Sequence, residues 1–416
     1  MILRTGDRND VNKRKGALMF KIYCRVYQFI FRCASYILPW RKPELLEGEG
    51  SVTKLPELIK SKGISSVLLV TDSMIISLGL TDGLQEALRE ANITTAIYDK
   101  TVPNPTLDNI EEAYTIYKEN NCKGIIAFGG GSPMDCAKGV GVRVARPRTD
   151  IRRMKGLLKV IVPLPPIFAV PTTAGTGSET TVAAVVTDSK TKHKYAINDL
   201  TLIPRVAVLD PLLTLKLPLF VTATTGMDAL THAVEAYIGG SNTKETRQMA
   251  IKATKLIFEN IYTAYADGNN IQARDNMLKA AYYAGVAFTR AYVGNVHAAA
   301  HALGGLYGTA HGLANAVILP YMLDDYSETV YSQLAELADA IEIEGETDEQ
   351  KAKAFIAAIR ELNTKMEIPS TIDSISKDDI PVLANHAFKE ANPSYPVPRI
   401  FKREDFESLY LRLSGQ

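Results

Sequence analysis

Between residues 44 and 210 short apolar runs alternate with amphipathic stretches. Residues 66–72 (Ser-Val-Leu-Leu-Val-Thr-Asp), 94–98, 124–128 and 160–170 are apolar and β-branched with no polar alternation, the pattern of strands covered on both faces. Helical periods fall over 52–62, 83–91 and 107–120, so strand and helix alternate with short connections. That order predicts an open parallel sheet clothed by helices. Past Asp210-Pro211 the strand-like runs stop and helices are expected over 212–216, 223–239, 244–265, 273–288, 296–304, 313–323, 329–341, 347–363 and 406–413.

The first 43 residues follow another pattern. Over 17–38, Lys21, Arg25, Gln28, Arg32 and Ser35 recur every three or four positions, and Ile22, Val26, Phe29, Ile30, Cys33 and Ile37 fill the opposite side. This is an amphipathic helix with a basic face, ended by Pro39, Trp40 and Pro43. Its charges interrupt every apolar run that could span a bilayer, and its uncharged apolar run 26–31 is too short for a secretory signal. Three roles fit residues 17–40: a helix lying in a membrane surface with Trp40 and the tyrosines at headgroup level, a helix docking on a second subunit, and a helix packed on its own domain.

Charge separates this segment from the rest. Residues 1–42 hold ten Lys/Arg against Asp7 and Asp10, which leaves 37 Lys/Arg and 44 Asp/Glu elsewhere in a chain of 416 residues with net charge +1. Cys24, Cys33, Cys122 and Cys136 show neither paired nor zinc-ribbon spacing, so a reduced, cytoplasmic setting is expected. Arg143, Arg146, Arg148, Arg152, Arg153 and Lys155 form a basic run without a nucleic-acid reader motif; it reads as a solvated face, and no nucleic-acid partner is expected.

Two stretches in the α/β part carry candidate binding chemistry. The strand 124–128 runs into Gly129-Gly130-Gly131-Ser132-Pro133-Met134-Asp135-Cys136-Ala137-Lys138, where glycines permit close backbone approach and a new helix points N–H groups at an anion such as a pyrophosphate. Packing alone also produces such turns. Asp72 ends an earlier strand, where it could accept from ribose hydroxyls or cap the next helix, and a carboxylate there favours NAD over NADP. The second stretch, Pro171-Thr172-Thr173-Ala174-Gly175-Thr176-Gly177-Ser178-Glu179, offers many donors and little bulk.

Residues 226–320 of the helical part hold four of the six histidines. Asp228 and His232 are four residues apart in Gly226-Met227-Asp228-Ala229-Leu230-Thr231-His232, one turn apart on one helical face. His297 and His301 repeat that spacing, and His311 follows a Gly-containing break. Carboxylate and imidazole donors in this pattern suit a first-row transition metal better than Mg2+ or Ca2+, although each histidine alone also fits a structural role.

These strings together resemble the iron-containing (group III) alcohol dehydrogenases. The family patterns D-A-L-T-H, V-H-x-x-x-H and H-G-x-A-N match at 228–232, 296–301 and 311–315, and P-T-T-A-G-T-G-S-E matches at 171–179; the likeness runs from about residue 43 to the end. The resemblance implies an α/β plus all-α fold: an N-terminal open parallel-sheet dinucleotide-binding domain over 44–210 and a C-terminal all-helical metal-binding domain over 211–416, as in the dehydroquinate synthase-like architecture, with the cleft between them and residues 1–43 as an extension. It also implies Asp228, His232, His297 and His311 as ligands of Fe2+, or of Zn2+, with His301 beside the nicotinamide and open to a proton-relay role. NAD would contact Asp72, Asn104, Gly130, Gly131, Ser132, Pro133, Met134, Thr172, Thr173, Thr176, Val185 and Lys194. The expected reaction passes a hydride between a small primary alcohol or aldehyde and nicotinamide, in a homo-oligomer. A zinc-dependent glycerol or polyol dehydrogenase of the same superfamily and a membrane-associated scaffold without activity are the alternatives. The basic extension and small local departures, Ala310 and Asn295 among them, lie outside the ligand positions.

Overall fold

The apolar runs of the first half form a sheet in the computed structural model, which describes residues 6–191 and 193–415. Six strands, β1 (Glu44–Glu47), β2 (Ser66–Val70), β3 (Thr94–Tyr98), β4 (Gly124–Gly129), β6 (Ile167–Pro171) and β9 (Val206–Leu209), lie in the order β1-β9-β6-β4-β2-β3, with every pairing parallel. Alternate residues feed two cores. Val67, Leu69, Ile126, Phe128, Phe168 and Val170 face α2 (Leu55–Ser61) and α4 (Asp82–Glu90), while Leu68, Val70, Ile125, Ala127 and Ala169 face α5 (Leu107–Glu119) and α6 (Gly131–Ala145). Burial on both faces explains the lack of polar alternation in these strands. The short α3 (Ser73–Ser77) follows β2, and a small second sheet, order β5-β8-β7, is built from β5 (Gly156–Leu157), β7 (Ala183–Asp188) and β8 (His193–Asn198).

Several expectations shift. The strand foreseen over 160–170 shortens to β6, because Pro163, Pro165 and Pro166 donate no backbone hydrogen bond. Strands β1 and β9 went unforeseen; β1 is a largely exposed edge strand, Glu-Leu-Leu-Glu, too short and charged to stand out. The basic run is used locally: Arg143 pairs with Glu111 and Arg152 with Asp188, while Arg146 donates to the Val160 carbonyl.

The helices continue with α7 (Leu219–Ile238), α8 (Lys244–Ala266), α9 (Ile271–Ala291), α10 (Asn295–Tyr307), α11 (His311–Tyr326), α12 (Tyr331–Ala340), α13 (Asp348–Lys365), α14 (Ile380–Ala391) and α15 (Arg403–Leu413). The chain falls into two compact units. One joins 39–233 with 248–289, and the other joins 1–38, 234–247 and 290–416. In the first, the 171–179 loop packs tightly on helices: a Cβ on Gly177, whose φ is +58°, would lie 2.7 Å from the Gly285 Cα on α9, and one on Gly175 would lie 2.6 Å from Thr225 on α7. In the second, the N-terminal helix α1 runs Gly6–Ile37, longer than the expected 17–38 at its start. Among the described residues no helix is long and apolar enough to cross a membrane.

Candidate active site

Helix α7 is apolar around nearly its whole surface and buried from Met227 to Gly239, so its Asp228, His232 and Glu235 lie in the interior. Buried charge needs partners. One ligand atom each from Asp228, His232, His297 and His311 lies within 4.8 Å of the others, the first three residues buried and His311 half-buried. The i, i+4 spacing aims the first pair; the starts of α10 and α11 bring the two later imidazoles.

The surroundings orient these rings. His297 Nδ1 lies 2.6 Å from Glu235 Oε2, and Glu235 also accepts from the backbone N–H groups of Gly294 and Val296, both at 2.8 Å. The acceptor carboxylate assigns the ring proton to Nδ1 and leaves the Nε2 lone pair for an electrophile. Burial pushes the Glu235 carboxyl up to about 7, against the N–H groups that stabilise its anion. Asn315, one turn past His311, places its amide nitrogen 3.2 Å from His297 Nε2 and 3.1 Å from His311 Nε2. The His232 ring stacks on Phe288 with centroids 4.1 Å apart. One carboxylate and three imidazoles with donor atoms within 4.8 Å of one another fit a first-row transition metal by donor type.

His301 is exposed and stacks on His311 at 5.2 Å. Its Nδ1 lies 2.5 Å from Glu390 Oε1 on α14, which also accepts from the Tyr395 hydroxyl at 2.7 Å. Burial alone would raise the Glu390 carboxyl, but the His301 charge and hydrogen bond bring it below its ordinary value.

Most of the proposed nucleotide contacts follow the carboxyl ends of β2, β3, β4 and β6 in the parallel sheet, while Val185 and Lys194 lie on β7 and β8 of the small sheet. Asp72 Oδ1 accepts from Ile75 N at 3.0 Å and caps α3. Gly130 is the N-cap of α6 and supplies no side-chain bond to that terminus. A Cβ on Gly130 would lie 3.4 Å from Thr173 Oγ1, and one on Gly131 would lie 3.2 Å from Thr176 Cγ2, so the glycine turn and the threonine loop are neighbours. Asn104 N donates to Ser132 Oγ at 3.2 Å, and Lys194 Nζ reaches Asn104 Oδ1 at 2.6 Å. Thr172 is buried, and Val185 on β7 is half-buried. The Pro133 and Met134 side chains are buried, so Met134 offers this edge its backbone at most.

Beneath that edge lies a group to which sequence reading gave no role. Fully buried Lys138 Nζ contacts five oxygens of the threonine loop and β7: Ser178 O (2.7 Å) and Oγ (3.2 Å), Thr181 O (3.1 Å) and Oγ1 (2.7 Å), and Ala183 O (2.9 Å). Burial lowers the Lys138 ammonium to about 8 against the pull of Asp135 and Glu179. It raises Glu179 to about 7. Glu235 and Asn315 were also missed, though each lies one helical turn from a proposed ligand, Asn315 within the 311–315 string itself. Glu390 had no signal, because α14 was not foreseen.

Residues 43–211 match the iron-containing alcohol dehydrogenase family, and residues 222–413 match the C-terminal part of the Fe-containing alcohol dehydrogenase family. The chain belongs to the iron-containing alcohol dehydrogenase family. Its relatives include 1,3-propanediol dehydrogenase from Klebsiella pneumoniae, 38% identical over 369 residues, 87% of this chain and 95% of the relative. NAD-dependent methanol dehydrogenase from Bacillus methanolicus is 37% identical over 352 residues, 84% and 92% of the two chains. Among solved structures, a 1,3-propanediol oxidoreductase superposes with TM-score 0.87 at 37% identity, covering 91% of this chain and all of that one. With the family, the α/β plus all-α class is established, and the protein is an oxidoreductase.

Proposed function

We propose that this alcohol dehydrogenase transfers a hydride between a small primary alcohol or aldehyde and NAD, with Asp228, His232, His297 and His311 holding its metal. The convergence of those four donors within 4.8 Å carries the reading. Iron is the proposed ion by family; zinc suits the same donors. Relatives named for 1,3-propanediol and methanol support a short, unbranched alcohol, and the NAD-dependent naming of one supports the cofactor.

When bound, the ion supplies a Lewis acid for the substrate oxygen and the nicotinamide supplies the hydride acceptor. The protein's part is positional. Glu235 fixes the His297 tautomer, and Phe288 and Asn315 restrain the neighbouring rings. His301, exposed and backed by Glu390 and Tyr395, is placed to pass a proton between the site and solvent. At the sheet edge Gly130, Gly131 and Ser132 would hold the pyrophosphate, Thr172, Thr173 and Thr176 would contact the nucleotide, and Asp72 would accept from the adenosine ribose. Pro133, Met134, Asn104, Val185 and Lys194 complete that wall. We further place the protein in the cytoplasm as a homo-oligomer, with domains over 44–210 and 211–416 and residues 17–40 at a membrane surface or subunit contact.

Metal analysis after anaerobic purification, followed by NAD(H)-linked assays of short alcohols, glycerol and their aldehydes on protein reloaded with Fe2+ or Zn2+, tests this. Iron-dependent turnover of simple alcohols or aldehydes is the expected result. Zinc-dependent turnover of glycerol alone would transfer the protein to the polyol reading, and failure to bind NAD after reloading would overturn both.

A further inference from the structure

Helix α1 packs on its unit through Phe20, Cys24, Gln28, Phe31 and Ser35, with Arg25 at the border of that face. Arg25 donates to the carbonyls of Val397 (2.7 Å) and Pro398 (2.6 Å), and Gln28 donates to those of Tyr395 (2.7 Å) and Pro393 (3.3 Å). Cys24 is fully buried among Val397 and Ile400, while Phe20 stacks on Phe388 and Phe31 packs on Tyr292. The expected apolar side is turned outward. Met19 is 70% exposed, Phe29 66%, Ile30 62% and Ile37 86%, with Leu18, Ile22, Tyr23, Val26 and Tyr36 also exposed.

A second apolar stripe turned outward is unusual for a surface helix, whose apolar residues ordinarily face the core. At about 100° per residue the outward side chains occupy an arc of about 140°. Over Leu18 to Ile37, at about 1.5 Å per residue, the strip is about 30 Å long. Lys21, Arg25 and Arg32 follow one edge of that arc, and no Asp or Glu occurs between residues 11 and 43. At the same edge Lys21, Arg25 and Arg399 line a groove of about 590 Å³ with Ile22, Val26 and Phe29.

We propose that this strip docks the protein on an anionic lipid surface, with Phe29, Ile30, Ile22 and Met19 entering the headgroup–acyl boundary and the basic edge meeting lipid phosphates. Charge complementarity selects that partner. A strip edged by Lys21, Arg25 and Arg32, on a helix stretch without carboxylates, suits a negatively charged plane, and apolar residues along a helix held flat on the protein match the geometry of in-plane binding. The proposal deepens the membrane contact placed at residues 17–40 and is independent of the reaction.

Co-flotation of the full-length protein with phosphatidylcholine vesicles, with and without phosphatidylglycerol, tests it, alongside sedimentation analysis of oligomeric state. The wild-type protein is expected to float with the anionic vesicles and to be released by salt. Ile22→Ser/Phe29→Ser/Ile30→Ser should weaken binding by about a hundredfold or more. Lys21→Glu/Arg32→Glu should weaken it about tenfold or more. All substituted side chains are exposed or half-buried, so dehydrogenase turnover should persist and separates a failed docking proposal from a failed enzymatic one. Equal binding to neutral vesicles would remove the anionic component and overturn the proposal. No vesicle binding would overturn it outright; if the triple substitution then also lowered the oligomeric state, the strip would be a subunit interface instead.

Discussion

The histidine group and the glycine-rich edge of the sheet are both proposed as binding sites and both built on buried charge, yet they use opposite materials. On α7, α10 and α11 the functional atoms are side chains, each aimed by helical spacing and restrained by a neighbour such as Glu235, Phe288 or Asn315. At the ends of β4 and β6 the site consists largely of backbone and small side chains, and its support is the buried Lys138 ammonium below the loop. The difference teaches where each site can fail. A side-chain site fails at single ligands, whereas a backbone site fails when the scaffold holding its curvature is lost.

The largest test of this contrast removes a ligand. Asp228→Ala or His311→Ala should reduce metal content after dialysis to trace levels and turnover by about a thousandfold or more, the scale of several kcal/mol of charge stabilisation. Calorimetry should find NAD binding unchanged. Coupled loss of NAD binding would show that the two sites are not separable. Next in size is Lys138→Met. Removing one member of a buried charge group costs about 3–5 kcal/mol, because Glu179 and Asp135 stay behind without the cation. Urea unfolding should register that loss and NAD affinity should fall, while each folded molecule keeps its metal.

The same contrast explains what the sequence made legible. The metal candidates stood out because ligands must be Asp or His, and two helical intervals, 228/232 and 297/301, mark them whatever the packing detail. The parallel sheet was legible because doubly buried strands such as 66–70 and 124–128 need continuous apolar runs. Lys138 was not legible, since a lysine is ordinarily solvent-exposed and nothing local shows that five acceptors from another segment will surround it. The outward turn of α1 was equally hidden: amphipathic period gives two faces, and only the contacts of Arg25 and Gln28 with residues about 370 positions away decide which one packs.

A smaller effect is expected at the support of the metal ligands. Glu235→Gln keeps the shape of the side chain but removes the anion facing His297 Nδ1. Loss of such an outer partner weakens metal affinity by about 10–100-fold. Chelator competition should show this shift while the fold, read by circular dichroism, persists. Unchanged affinity would mean that α10 alone positions His297, and the carboxylate would then serve only the N–H groups of Gly294 and Val296.

The smallest effect belongs to Asp72, where the nucleotide edge does depend on a side chain. Its cap on Ile75 N and its proposed ribose contact can be separated, because Asn caps a helix about as well as Asp but carries no charge. Asp72→Ala should cost about 1 kcal/mol of stability and Asp72→Asn almost none. Both should lessen the rejection of a 2′-phosphate, so the ratio of NADP to NAD turnover should rise in each variant. A rise shared by both, beside a stability loss confined to the alanine variant, assigns the charge to cofactor choice and the oxygen to the cap. An unchanged ratio would leave Asp72 a capping residue alone, and the sheet edge would then bind its nucleotide without a carboxylate on the ribose.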